Sequence, residues 1–132
     1  MLGEMLGETR GKRIVRRVLS SDPMKIEVTF EDGGKMLGLD VSGFGTYWAV
    51  IRPDGTIYGE GEGGTITQGG ELASWKGSSL GIFKEAGAVS YRGILYWRTA
   101  SQKLARLNTV PTVFEFEVDA AGNTHTKMWE WK

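Results

Sequence analysis

The amino-acid sequence predicts an all-β protein, an up-and-down barrel of about eight antiparallel strands with one short helical turn. Segments that alternate apolar and polar residues follow one another along the chain, separated by turns rich in glycine, aspartate or proline about every 8–15 residues. Twenty of the 132 residues are glycine and only three are proline. Many of these glycines fall inside the candidate strands, which indicates the sharp coiling that closure of a barrel requires. Eight strands enclose an interior that side chains fill or that holds one small ligand.

Strands predominate in the first half of the chain. Residues 24–31 form the clearest of them, because every second residue from Met24 to Phe30 is apolar. Asp32-Gly33-Gly34 follows directly and predicts a tight hairpin, since glycine readily adopts the positive φ of such turns. Residues 12–20 carry basic side chains on both faces, which is typical of an edge strand. The strands predicted in this half cover residues 12–20, 24–31, 35–41, 44–52 and 56–67.

The second half continues the pattern of strands and turns. Residues 71–84 consist of two strand-like halves, and a mixed stretch over residues 88–108 follows them. Within that stretch Leu104 and Leu107 lie three residues apart, which predicts a single helical turn in residues 101–107. Strands over residues 112–118 and 124–132 complete the chain. The turns are predicted at residues 32–34, 53–55, 68–70, 85–87 and 119–123.

The length of the chain suits one domain with its own core. A tandem MLGE repeat opens the sequence and predicts a flexible tail over residues 1–10, so that residues 11–132 form a single barrel domain. No run approaches the roughly 20 apolar residues that a membrane-spanning helix needs. We therefore expect a cytoplasmic protein that does not associate with membranes.

Composition excludes several classes of function. Sixteen basic and sixteen acidic residues give no formal net charge, which argues against a dedicated nucleic-acid binder or a protein of the membrane surface. The absence of cysteine excludes disulfides, thiol catalysis and thiolate metal sites. The single histidine, His125, cannot supply a common transition-metal site. We expect neither a metal nor a cofactor.

Two short motifs match known patterns by their letters alone. Residues 59–64 satisfy G-x-G-x-x-G, but a dinucleotide site needs a helix after this motif, and Thr65-Ile66-Thr67 continue as strand. Residues 77–81 satisfy G-x-S-x-G, but a nucleophile elbow leads into a helix and nothing helical follows Gly81. We interpret both motifs as glycine-containing strands and assign no catalytic residue to them.

The mixed stretch over residues 88–108 predicts a wall beside a functional site. Counted by two, Arg92, Tyr96 and Arg98 share one side of an extended chain, while bulky side chains also occupy the other side. Such a strand separates a packed region from a ligand-filled one; the simpler interpretation is surface arginines over an aromatic core. The candidate ligand-binding residues are Trp48, Tyr58, Glu60, Trp75, Arg92, Tyr96 and Arg98. Which face of each strand points into the barrel stays open.

Part of the chain, roughly residues 38–131, resembles a known family. The segments that carry the resemblance are residues 59–64, 75–77, 91–108 with the Arg-Thr-Ala-Ser run at 98–101, 113–119 and 129–131. Together they resemble small uncharacterised bacterial proteins with an allene-oxide-cyclase-like, or calycin-like, β-barrel. The resemblance implies an eight-stranded antiparallel barrel with a central cavity, often in a homo-oligomer. Relatives with that barrel include cyclases and isomerases that shape a reactive hydrophobic substrate.

Three functions agree with these expectations. The first is a small-molecule-binding barrel that holds an apolar or amphipathic ligand, with aromatic walls and with Arg92, Arg98 and Glu60 as polar anchors. The second is a cofactor-free isomerase or cyclase in which Glu60 acts as acid or base and Arg92 stabilises developing negative charge. The third is a structural or interaction module whose barrel is filled by its own side chains.

Overall fold

Eight antiparallel strands close into a barrel in the computed structural model, which describes residues 2–132. Each strand pairs with its neighbours in the chain, and β8 pairs with β1. The strands are β1 (Leu2–Ser21), β2 (Met24–Met36), β3 (Leu39–Ile51), β4 (Ile57–Thr67), β5 (Leu72–Phe83), β6 (Val89–Thr99), β7 (Thr112–Val118) and β8 (Asn123–Trp131). The prediction of an eight-stranded, up-and-down barrel is therefore confirmed.

Two short 3-10 helices lie between strands. The first, Glu85–Gly87, forms the turn between β5 and β6. The second, Ala105–Thr109, lies slightly later than the helical turn that the leucine spacing predicts. No helix in the described part of the chain is long and apolar enough to cross a membrane.

The barrel interior contains two clusters of buried apolar side chains. One lies at the end where β1 begins and includes Met36, Leu95 and Met128. Leu104 and Leu107 belong to the same cluster and are almost fully buried, so the connection between β6 and β7 covers this end of the barrel. The other cluster lies toward the opposite end and is formed by Phe30, Ala49, Ile57, Tyr91, Phe116 and Val118.

An ion pair attaches the β6–β7 connection to the barrel. Arg106, in the second 3-10 helix, donates from Nη2 to the Glu130 carboxylate of β8 at 2.7 Å. The same nitrogen lies 3.5 Å from the Glu4 carboxylate of β1. The hydrogen bond from Arg106 lowers the pKa of Glu130, whose side chain is only 3% exposed. Through these two contacts Arg106 connects the β6–β7 connection to both the first and the last strand.

The hairpin predicted at Asp32-Gly33-Gly34 is wrong, because β2 runs straight through these residues to Met36. The turn instead occupies Leu37 and Gly38, which both have positive φ, 52° and 79°. A glycine is needed at position 34 for a different reason. A Cβ there would lie 2.1 Å from the carbonyl oxygen of Glu8, so glycine allows β1 and β2 to approach closely.

The start of the chain also differs from the expected tail. Leu2–Ser21 form one strand, and its first residues pair with β8 from Leu2 onward and with β2 from Gly7 onward. Leu6 and Thr9 are buried within the barrel. The physical reason is closure: without these residues β8 would be left as an unpaired edge. Met1 lies outside the described residues.

The second half of β1 extends beyond the closed part of the barrel. β1 pairs with β8 only as far as Lys12, and from Arg13 onward it pairs with β2 alone. The edge strand expected at residues 12–20 is confirmed for this part. The exposed apolar side chains of this strand segment are Ile14, Val15, Val18 and Leu19.

Candidate functional site

A cavity of about 80 Å³ lies inside the barrel and is bordered by both core clusters. Aromatic rings provide much of its wall, and threonine and serine hydroxyls provide part of the rest. The inward-facing residues that line it include Phe30, Tyr47, Trp75, Tyr91, Trp97, Phe114 and Phe116, together with Thr9, Asp32, Thr65, Ser79 and Thr126. The interior is therefore not filled completely by its own side chains.

Two glycines make room for the indole ring of Trp75 in this wall. A Cβ at Gly45 of β3 would lie 2.6 Å from Cζ2 of Trp75, and a Cβ at Gly63 of β4 would lie 2.7 Å from the same atom. The indole of Trp75 therefore packs closely against two neighbouring strands at positions that carry no side chain. This close approach explains part of the unusual glycine content of β3 and β4.

One carboxyl group, that of Asp32 on β2, reaches into the cavity. The residues directly opposite Asp32 on both adjacent strands are glycines, Gly11 on β1 and Gly43 on β3. A Cβ at Gly43 would lie 2.3 Å from Oδ1 of Asp32, and a Cβ at Gly11 would lie 2.6 Å from its Cβ. The Thr9 hydroxyl donates a hydrogen bond to Oδ2 at 3.1 Å. Asp32 therefore occupies a space that two glycines and one hydroxyl leave for it.

Burial changes the acidity of the polar groups in this wall. It raises the pKa of Asp32 above its ordinary value of 3.8, and the hydrogen bond from Thr9 opposes this shift only in part. Burial likewise raises the pKa of Tyr91 to about 12 and that of Tyr47 further. The two tyrosine rings meet edge to face with their centroids 5.8 Å apart. Both phenols are therefore neutral at physiological pH.

Replacing Asp32 with asparagine is expected to raise the melting temperature at pH 7 by about 3 °C. The folded-state pKa of Asp32 is raised, so the ionised carboxylate opposes folding at pH values above that pKa. As the pH falls through the raised pKa, the folded protein takes up a proton and the penalty disappears. The difference between Asp32→Asn and the wild type should therefore shrink toward a pH of about 4.

Thermal unfolding followed by circular dichroism between neutral and acidic pH measures this difference. Glu62→Gln, on the outer face of β4, is the matched control for removing one negative charge. A stabilisation by Asp32→Asn that grows as the pH falls would contradict the burial of this carboxyl group.

The indole N–H of Trp97, a residue that lines the cavity, has no hydrogen-bond acceptor among the described residues. The indole Nε1 of Trp97 is buried and makes no hydrogen bond with residues 2–132, although Trp97 lines the cavity. A buried N–H without an acceptor is unfavourable, because it has lost its hydrogen bond to water. The indole N–H therefore lies behind the cavity surface, and the carboxyl group of Asp32 is the charged group that the inward-facing wall presents.

The structure places one of the seven predicted site residues inside the barrel and the other six on its outer face. Only Trp75 has its side chain in the cavity. The other six candidates, Trp48, Tyr58, Glu60, Arg92, Tyr96 and Arg98, carry their side chains on the outer face of the barrel. Their predicted places in the interior wall are thus corrected. For Arg92, Tyr96 and Arg98 the reason is the alternation of β6, in which Tyr91, Leu95 and Trp97 point inward and are buried. Trp48, Tyr58 and Glu60 alternate in the same way with the buried residues Ala49, Ile57 and Gly59 of β3 and β4.

The outward-facing candidates interact with one another and with neighbouring strands. Glu60 belongs to the wall of the cavity, but its carboxylate accepts a hydrogen bond of 2.6 Å from the Tyr58 hydroxyl on the outside. Arg92 lies 3.0 Å from the carboxylate of Glu117 and 3.6 Å from that of Glu115. These contacts make Glu60 and Arg92 parts of the surface rather than anchors in the interior.

Sequence reasoning missed Asp32 as a site residue because aspartate followed by two glycines indicates a turn. The signal was nevertheless present. Asp32 lies two residues after Phe30 and four after Val28, so it belongs to the same inward-facing series of β2. An acidic residue at a position reserved for core side chains is the pattern that identifies it.

The two short motifs lie in strands, as predicted. Residues 59–64 lie in β4, and residues 77–81 lie in β5. His125, on β8, lies on the outer face, where its Nε2 is 2.5 Å from the Glu8 carboxylate. The described residues contain no group of three or more His, Cys, Asp or Glu that could hold a metal ion.

Neither a protein-family model nor a curated protein matches the chain. Several solved structures have the same overall fold. A protein of unknown function from Clostridium acetobutylicum superposes with a TM-score of 0.85 at 12% identity, and the match covers 98% of each chain. A β-barrel-like protein from Acinetobacter baumannii gives a TM-score of 0.83 at 12% identity, with 100% of this chain and 96% of that chain covered.

An enzyme from Penicillium herquei is also similar in structure. Its TM-score is 0.69 at 16% identity, with 96% of this chain and 92% of that chain covered. At such low identities the similarity concerns the fold alone. The chain thus shares its overall fold with a clostridial protein of unknown function, with a β-barrel-like protein from Acinetobacter baumannii and with one fungal enzyme.

Proposed function

We propose that this protein binds a small apolar or amphipathic molecule in the central cavity of its barrel. The observation that supports the proposal is the unfilled space between the two core clusters, with aromatic rings around it and one carboxyl group in its wall. Mostly apolar walls with a few polar groups are typical of small-molecule sites. A barrel that served only as a structural module would gain stability by filling this space.

The size of the cavity limits the ligand. At about 80 Å³ it is smaller than the roughly 150 Å³ apolar cavity that accommodates benzene in an engineered protein. A compact molecule of about five non-hydrogen atoms, or one end of a longer molecule, is the size that we expect. The carboxyl group of Asp32 is the group that would orient it.

A cofactor-free isomerase or cyclase of the allene-oxide-cyclase-like type is the second function that we propose. Asp32 replaces Glu60 as the candidate acid, because its carboxyl group is inside the barrel and burial raises its pKa. A carboxyl group whose pKa is raised by burial keeps its proton to a higher pH than an exposed one and can then act as a proton donor. The similarity in fold to the enzyme from Penicillium herquei supports this alternative only at the level of architecture.

Filling the cavity is expected to abolish binding of a small neutral probe, for which we choose tert-butanol. Ser79 on β5 points inward and lines the cavity, whereas its neighbour Ser78 carries an exposed side chain. Ser79→Leu should therefore weaken tert-butanol binding at least about tenfold, because leucine occupies the space that the probe needs. Ser78→Leu adds the same atoms outside the barrel and should leave binding unchanged.

Backbone amide shifts in a two-dimensional NMR titration measure this binding. In the wild type, saturable shifts are expected at the cavity glycines Gly59, Gly61 and Gly77. If leucine at position 79 prevents folding, Ser79→Val provides the smaller obstruction. Equal binding by Ser79→Leu and Ser78→Leu, or no saturable shift in the wild type, would contradict a ligand site in the cavity.

A further inference from the structure

The charged residues that line the cavity are all acidic. Its lining residues include two acids, Asp32 and Glu60, and no lysine, arginine or histidine. The carboxylate of Glu60 is turned toward Tyr58 on the outside, so Asp32 supplies the inward-facing charge. Arg13 lies on the same face of β1 as Gly11, and its guanidinium packs against Gly122 at the end of the barrel. The positive charges of Arg13 and Arg16 lower the pKa of Tyr47 but do not act on Asp32. The carboxyl group of Asp32 therefore has no cation beside it among the cavity-lining residues.

A single hydrogen bond does not satisfy an ionised carboxylate. Its two oxygens can accept several hydrogen bonds, and Asp32 receives one, from the Thr9 hydroxyl. Asp32 is partly buried, and a carboxylate that has lost part of its hydration without gaining a cation is unfavourable, so a positively charged ligand group would stabilise it. The glycines Gly11 and Gly43 accommodate Asp32 itself, and neither adds a polar side chain that could pair with its carboxylate.

The aromatic rings beside Asp32 favour the same kind of ligand. Phe30, two residues earlier on the same face of β2, has its ring centroid 5.3 Å from that of Phe116, 6.1 Å from Tyr47 and 6.3 Å from Trp75. Ring faces carry partial negative charge and attract organic cations, most strongly where water is excluded. A carboxyl group beside several rings is the combination that recognises an ammonium group.

We propose that the ligand of this cavity is a small organic amine, bound as its cation with the ammonium group at Asp32 and the alkyl part against the rings. This inference rests on the proposed function, and it specifies the charge of the ligand. An uncharged ligand of the same shape would occupy the cavity without compensating Asp32. An anionic ligand would be repelled by it.

Two probes of nearly identical shape test the inference, since tert-butylammonium and tert-butanol differ only in the charged or neutral polar group. Binding of each is measured by NMR titration at pH 7 and constant ionic strength. The wild type should bind tert-butylammonium about tenfold more tightly than tert-butanol. In Asp32→Asn, which is close in shape to the wild-type residue, the ratio of the two affinities should fall from about ten to about one.

A matched control excludes general attraction of cations by the protein surface. Glu62→Gln removes one negative charge from the exposed outer face of β4, and it should leave the tenfold preference unchanged. Loss of the preference in Glu62→Gln as well as in Asp32→Asn would contradict a specific role of Asp32.

The two proposals fail in distinguishable ways. Equal binding of both probes in the cavity would overturn the amine inference and leave the proposed function standing. Binding of neither probe would overturn both. Preference for tert-butylammonium that persists in Asp32→Asn would overturn the assignment of the ammonium group to Asp32.

Discussion

Gly34→Ala should lower the melting temperature by about 10 °C, or prevent folding at 37 °C. The added Cβ would lie 2.1 Å from the carbonyl oxygen of Glu8 and 2.9 Å from Cα of Thr9, both in the backbone of β1. Neither atom can move away without opening the pairing of β1 with β2, on which closure depends. Overpacking of this kind costs about 3 kcal/mol, which corresponds to about 10 °C for a domain of this size.

The neighbouring glycine provides the control. A Cβ at Gly33 would meet nothing closer than the carbonyl oxygen of Val41 at 3.4 Å, an ordinary contact. Gly33→Ala should therefore change the melting temperature little, or raise it slightly, because alanine reduces the freedom of the unfolded chain. Thermal unfolding of the two variants measures the difference. Similar melting temperatures for both would mean that β1 and β2 are not packed as closely as described.

Phe30→Ala should reduce the free energy of unfolding by about 3–5 kcal/mol. Phe30 is 7% exposed, and its ring contacts those of Tyr47, Trp75 and Phe116. Truncation removes this contact area and joins the vacated space to the existing cavity, and the surrounding strands cannot collapse into it without breaking the barrel. Urea unfolding followed by circular dichroism measures the loss.

Replacing an outward-facing phenylalanine with alanine shows whether the loss of stability comes from burial of the ring or from the change of residue type. Phe44, on β3, is 45% exposed and points away from the interior. Phe44→Ala should cost less than about 1 kcal/mol, because an exposed ring loses little contact on truncation. Equal losses from Phe30→Ala and Phe44→Ala would contradict the assignment of the inner and outer faces of β2 and β3.

Most of the barrel could be predicted from the sequence, because alternating polarity and turn residues are local signals. The prediction failed where one local signal had two physical meanings. Asp32-Gly33-Gly34 has the composition of a turn, yet in the structure Gly34 permits close approach of β1, and Asp32 faces the cavity. Only the register between strands shows this, and register is not a local property.

The predicted site was less accurate for a related reason. Both faces of β6 carry large side chains, with Tyr91 and Trp97 on one and Arg92 and Tyr96 on the other. Alternation by two groups these residues correctly but does not indicate which group points inward. Hydrophobicity leaves the choice open, since arginine can belong to a polar interior wall or to the surface. The ion pairs of Arg92 with Glu115 and Glu117 on β7 decide it, and they become visible only in the folded barrel.

The central claim is that a small ligand binds inside the barrel, and intermolecular nuclear Overhauser effects test it most directly. The tert-butyl protons of either probe give one strong signal, and methyl-labelled protein reports which side chains lie within contact distance. We expect effects to the methyl groups of Leu95 and Met128, which line the cavity. Effects confined to the outward-facing methyl groups of Leu80 and Ile82, or none at saturating probe concentration, would contradict an internal binding site.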